Sequence, residues 1–149
     1  MKKVLLLIFL GITINTKAQK SMEDNNIYTI VEKNPAYKDG LPALYSFFCE
    51  NIKAPSSIST DPKALHRIYI KFVVEKDGSV TNPKIMKGID TACDQEAIRV
   101  INLLPKWEPG GITKYQKWIP LRVYFTVPLA FYQNKSDCEK SYSQAFIKK

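Results

Sequence analysis

Histidine is nearly missing: His66 is the only one in 149 residues. That excludes a multi-histidine metal site. A general base needs a tuned partner, and no serine or cysteine lies beside His66 in a recognisable motif, so it reads as an ordinary residue at the start of a strand. Glycine is scarce too, and the six present show no phosphate-cradle spacing. The three cysteines, Cys49, Cys93 and Cys138, fit neither a zinc site nor a C-x-x-C redox pair. An odd number allows at most one internal bridge. The expectation is buried thiols, with a Cys93–Cys138 bridge as the alternative. No block of lysine or arginine marks a nucleic-acid patch. Asp90, Asp94 and Glu96 cluster at a helix start, where acids favour the helix dipole over a cation site. No catalytic constellation emerges, so neither an enzyme nor a cofactor is expected.

No apolar run is long enough to span a bilayer, which takes about 20 residues. The longest, Val4 to Ile14, follows Lys2 and Lys3 and ends in a small-residue exit at Thr16-Lys17-Ala18. That is the plan of a secretory signal, with cleavage expected after Ala18 and Gln19 as the new first residue. No stable membrane anchor would remain. Loss of Lys2, Lys3 and Lys17 would lower the net charge from +8 to +5. Such a surplus favours solubility and weak attraction to acidic surfaces.

The rest is one domain's worth of chain without repeats. After a polar stretch at 19–26, residues 26–37 read as an extended lead-in. "DGLPALYSFFCENIK" predicts a helix, capped by Asp39 or Gly40, with Pro42 in its first turn. Leu41, Leu44, Phe48 and Ile52 form its apolar stripe, with Phe47 beside them. Ile68, Ile70, Phe72 and Val74 then alternate with Tyr69, Lys71, Val73 and Glu75, a strand with one buried face. Asp77-Gly78 predicts a hairpin turn into "SVTNPKIMKG". Val80 and Ile85 should both face the core, and a bulge near Asn82-Pro83 reconciles their odd separation. Pro83 cannot donate to a ladder, so this second strand should be an edge.

"DTACDQEAIRVINLL" is a second helix, with Thr91 and Asp94 resembling a capping box. Cys93, Ala97, Val100, Ile101 and Leu104 form its buried stripe. Pro105 ends it. Trp107, held between Pro105 and Pro109, is read as packing that closes the core and aims the chain. A glycine-rich loop leads to the third strand, "WIPLRVYFTVPLAFY", where Leu121, Val123, Phe125, Val127 and Leu129 alternate with Arg122, Tyr124, Thr126 and Pro128. Residues 133–149 are a polar extension, with Ser136 and Glu139 as caps of a weak helix carrying Cys138, Tyr142 and Phe146. The fold class expected is α+β: a three-stranded antiparallel sheet, order 2-1-3, with two helices on one face. The third strand is then an edge, open to an added strand or covered by the C-terminal segment or a second copy.

The run "YIKFVVEKDGSVTNPKIMKGIDTACDQEAIRVINLLPKWEPG", followed by "IPLRVYFTVPLAF", resembles the C-terminal domain of TonB-type energy transducers in its Bacteroidetes-like form. So does the earlier "VEKNPAYKDGLPALYSFFCENIKAP". The resemblance covers about residues 30–132, for a domain drawn at 27–132. It rests on the ordered set of the Asp77-Gly78 hairpin, Gly88 and Asp94, Ala97, the Trp107-x-Pro109 turn and the last strand with Pro128. It implies a periplasmic domain that binds the box peptide of TonB-dependent outer-membrane receptors by strand addition, in energy-coupled transport. It places that contact on the last strand: Leu121, Arg122, Val123, Tyr124, Phe125, Thr126 and Val127. Against the family's plan, the chain shows neither a full-length anchor nor a Pro-rich spacer. Alternatives are a self-associating envelope scaffold with the edge paired in a homodimer, and a true transducer whose N-terminal segment stays uncleaved.

Overall fold

A computed structural model describes residues 25–58 and 66–147. The signal segment 1–18 and its cleavage point lie outside the described residues, as does the side chain of Phe146. Element order is β1 (Ile27–Tyr28), α1 (Gly40–Asn51), β2 (Arg67–Val74), β3 (Val80–Lys87), α2 (Thr91–Asn102), β4 (Gly111–Lys114), β5 (Lys117–Pro120), β6 (Arg122–Ala130) and α3 (Lys135–Ile147). The class is α+β, as the sequence implies, but the sheet is larger. Four strands run in the order β1-β6-β2-β3, and β4-β5 form a separate hairpin.

The antiparallel part follows the sequence pattern. Ile68, Ile70, Phe72 and Val74 are fully buried, and β6 matches them with Val123, Val127 and Leu129. Eight consecutive pairs join β2 to β6, from Arg67↔Ala130 to Val74↔Val123. The β2–β3 register shifts between Lys71 and Val73, opposite Asn82-Pro83, and Asn82 takes φ 52. The bulge lets Val80 and Ile85 both pack on the core. Pro83 lies on the edge strand that its missing N–H demands.

Two expectations for the sheet are corrected. It is mixed, because β1 pairs parallel with β6 at Ile27↔Arg122 and Tyr28↔Val123, so β6, expected as the sheet's other edge, instead lies between β2 and a two-residue β1. The stretch 118–132 is also not one strand. It breaks at Leu121, whose N–H donates to the Gly110 carbonyl (2.9 Å), and the glycine-rich loop before it is half of the β4–β5 hairpin.

Helices α1 and α2 share one core against the buried face of the sheet, through Leu44 and Phe48 from α1 and Cys93, Ala97, Val100 and Ile101 from α2. Leu41, expected in the α1 stripe, is instead exposed. Asp39 holds the N-cap position of α1 in a left-handed conformation, without a side-chain bond. Asp90, not Thr91, caps α2: its Oδ1 accepts from the Cys93 N–H at 2.8 Å. Asp94 Oδ1 accepts from the Ile89 N–H at 3.3 Å, and a Cβ on Gly88 would sit 2.3 Å from that oxygen. The Gly88–Asp94 pairing is thus steric as well as polar. Arg99 binds Glu96 and donates to the Asn51 carbonyl at 2.6 Å, tying α2 to the last turn of α1.

Helix α3 starts from Asn134 rather than Ser136. The Asp137 N–H donates to Asn134 Oδ1, and the Asn134 amide donates to the Asp137 carboxylate, both at 2.9 Å. A disulfide joins Cys49 of α1 to Cys138 of α3, and Cys93 is the free, buried thiol. Of the buried thiols expected, Cys93 is one; the alternative bridge is corrected, since Cys138 pairs with Cys49 and not with Cys93. Desolvation, reinforced by the neighbouring Asp90 carboxylate, pushes the Cys93 thiol up to about 11. Thiol titration of the denatured chain is expected to count one thiol before reduction and three after. Three before reduction would contradict the bridge.

Candidate functional site

Trp107 fixes how β6 is presented. Its ring is 4% exposed and meets Phe125, Phe72 and Tyr37 edge-on at 4.9, 5.4 and 5.5 Å between centroids. The Trp107 backbone N–H donates to the Gly78 carbonyl at 2.8 Å, locking the turn after α2 onto the β2–β3 hairpin. In that hairpin, Asp77 Oδ1 accepts from the Ser79 N–H (3.0 Å) and hydroxyl (2.6 Å). The Lys106 ammonium, 2.8 Å from Oδ2, holds the Asp77 carboxyl well below the usual carboxylate range. Pro109 continues the turn. Lys33 exchanges both backbone bonds with Gly111, and Ala36 does the same with Glu108. Trp107 is packing; its indole Nε1 has no acceptor among the described residues.

Ladder geometry decides which groups of β6 point outward. The Phe131 N–H donates to the His66 carbonyl at 2.9 Å. Alternation in an antiparallel pair then turns Leu129, Val127, Phe125 and Val123 toward β2, and Ala130, Pro128, Thr126, Tyr124 and Arg122 away from it. Each outward position meets something different. Arg122 lies in the two-residue pairing with β1, and the pairing of Tyr28 with Val123 engages the outward groups on either side of Val123, the Arg122 carbonyl and the Tyr124 N–H. The Ala130 N–H donates to Tyr142 Oη of α3 at 3.1 Å. Pro128 has no N–H to offer. Between these limits, no described strand reaches the outward Tyr124 carbonyl or the outward backbone groups of Thr126.

The face of the sheet opposite the helices is basic and aromatic. Lys71 lies between Thr126 and Lys84, and Tyr69 between Pro128 and Lys87. The Lys71 ammonium sits 4.5 Å from the centre of the Tyr124 ring. Arg122 is committed internally. Its guanidinium binds Glu75 at 2.7 and 3.1 Å and donates to the Asn25 carbonyl at 2.7 Å. That contact, with help from the Thr81 hydroxyl, holds the Glu75 carboxyl below its ordinary range.

Of the residues placed on the contact strand by sequence, Leu121 precedes β6, and Arg122 and Val123 sit beside β1. Tyr124, Phe125, Thr126 and Val127 line the stretch with no described neighbour strand. Phe125 and Val127 pack with the core, while Tyr124 and Thr126 project over the basic face. The sequence reading put Tyr142 on a weak C-terminal helix but missed its contact with β6. Its spacing of four from Cys138 puts both on one helical face, where it stacks on Tyr45 at 4.2 Å. Burial pushes the Tyr142 phenol upward, so Oη stays protonated while accepting from Ala130.

Among the described residues, no group of three or more His, Cys, Asp or Glu side chains could hold a metal. No helix among them is long and apolar enough to cross a membrane. Residues 67–130 match the model of the family described as Gram-negative bacterial TonB protein C-terminal. The match runs from the start of β2 to the end of β6. No curated protein and no solved structure matches significantly.

Proposed function

We propose, from the match of residues 67–130 to the TonB C-terminal family model, that this chain binds an extended segment of an envelope protein as an added strand on β6. A TonB-dependent outer-membrane receptor is the leading partner, and energy-coupled transport the process served. The observation that carries this reading is the outward Tyr124 carbonyl and the outward backbone of Thr126, bracketed by β1 at one end and by Pro128 and Tyr142 at the other. Strand addition uses just such unpaired edge groups for affinity and alternate side chains for specificity. The other edge is ill suited: β3 carries Pro83 and two register shifts.

The chain works in the periplasm on this reading, exported by a signal cleaved after Ala18. The functional domain is 27–132, with 133–149 an extension that sets the far end of the edge. Mass spectrometry finding an N-terminus other than Gln19 would remove the export step as stated.

Thr126→Pro tests the edge. Thr126 points away from β2, so the proline removes an outward donor without breaking the β2–β6 ladder. Proline at Val123 or Phe125 would break it. Anisotropy titration with a labelled receptor box peptide is expected to show at least about tenfold weaker binding to Thr126→Pro, with circular dichroism unchanged. Equal binding by a folded variant would refute the edge site.

A further inference from the structure

The β4–β5 hairpin gathers three features that do nothing for stability in water. Its two tip residues, Tyr115 and Gln116, both take left-handed φ values, 52 and 61. Two-residue turns of this kind favour Asn-Gly, because L side chains are strained there. Tyr115 is 90% exposed, touched by the Lys114 ammonium at 5.4 Å. Lys114 and Lys117 stand directly opposite each other, an unfavourable pair. Neither is in an ion pair among the described residues. The hairpin itself, 111–120, contains no acid; Glu32 accepts from the Thr113 N–H near its base at 2.7 Å. Local rules broken together at one point mark a functional site more often than an accident.

The rest of the hairpin is rigidly mounted. Lys33 clamps Gly111, and Gly110 holds Leu121. Trp118, 40% exposed, is seated over Gly111, where a Cβ would lie 2.9 Å from its ring. A fixed projection therefore presents a tyrosine, a tryptophan and two lysines outside any ion pair among the described residues. Tyrosine and tryptophan favour the headgroup layer of a bilayer, and lysines favour its anionic charge. A phosphate between Lys114 and Lys117 would also relieve their repulsion. We infer that this hairpin is a docking finger for an anionic phospholipid surface. The inference is independent of the β6 edge.

The full chain carries its own probe, since Trp107 is buried and Trp118 is the only other tryptophan. Vesicles containing phosphatidylglycerol are expected to shift the Trp118 emission to the blue and to sediment the protein, reversibly in high salt. Phosphatidylcholine vesicles should do neither. Lys114→Gln/Lys117→Gln should weaken binding by about 30-fold, and Tyr115→Ser should weaken it further, without changing the circular dichroism spectrum. No binding to phosphatidylglycerol vesicles would overturn the inference. So would undiminished binding by the double variant, which would move the contact to the Lys71, Lys84 and Lys87 face. Full competition by millimolar inorganic phosphate would overturn it too, by indicating a free-anion site.

Discussion

Gly78→Ala is expected to lower stability by about 3 kcal/mol, measured as a fall in urea midpoint at constant slope. Two causes combine. Gly78 has φ +84, a conformation that strains any L side chain by roughly 1 kcal/mol. An added Cβ would also stand 2.1 Å from the Trp107 carbonyl oxygen, a backbone atom that can move only by dragging the indole out of its aromatic slot. Gly40→Ala separates the two. Gly40 has φ +80, but its Cβ would meet only the Pro42 ring at 3.7 Å. It should therefore lose about 1 kcal/mol. Equal losses at the two glycines would mean that the Trp107 contact is not what Gly78 protects.

Reduction of the Cys49–Cys138 bridge is expected to cost about 4 kcal/mol, since it closes a loop of 89 residues. Cys138→Ser should cost nearly as much, and reductant should then have no further effect. The consequence reaches the candidate site. Helix α3 carries Tyr142, which stacks on Tyr45 and caps the Ala130 N–H. Without the bridge, the far limit of the β6 edge is held only by noncovalent contacts such as these and the Tyr132–Ser141 hydroxyl bond. A stability unmoved by reductant would contradict the role given to the bridge.

Much of this fold is legible in the sequence because its signals are local. Alternation at 68–74, the Asp77-Gly78 turn and the odd spacing of Val80 and Ile85 each constrain a few neighbouring residues, and the sheet follows them. The bracketing of Trp107 by prolines likewise points to packing. What escapes has no local signature. Strand β1 is two residues long and exists through pairing with positions 122–123, far along the chain. The β4–β5 hairpin hides because Tyr115-Gln116 replaces the usual glycine or asparagine. Cysteine spacing says nothing of which helices meet, so the Cys49–Cys138 pair needs the packing of α1 on α3. The edge was legible as a strand, but its limits were not. They depend on Asn25 to Tyr28 and on Tyr142, both outside the alternating segment.

The most direct test of the β6 edge is residue-resolved amide hydrogen exchange, with and without a saturating receptor box peptide. Thr126 has an outward N–H that meets no described strand and should exchange fast in the free protein, then gain protection on binding. The amides of β3, and those of Val123 and Phe125 already bonded to β2, should change little. Protection appearing on β3, or none at Thr126 at saturation, would contradict strand addition on β6.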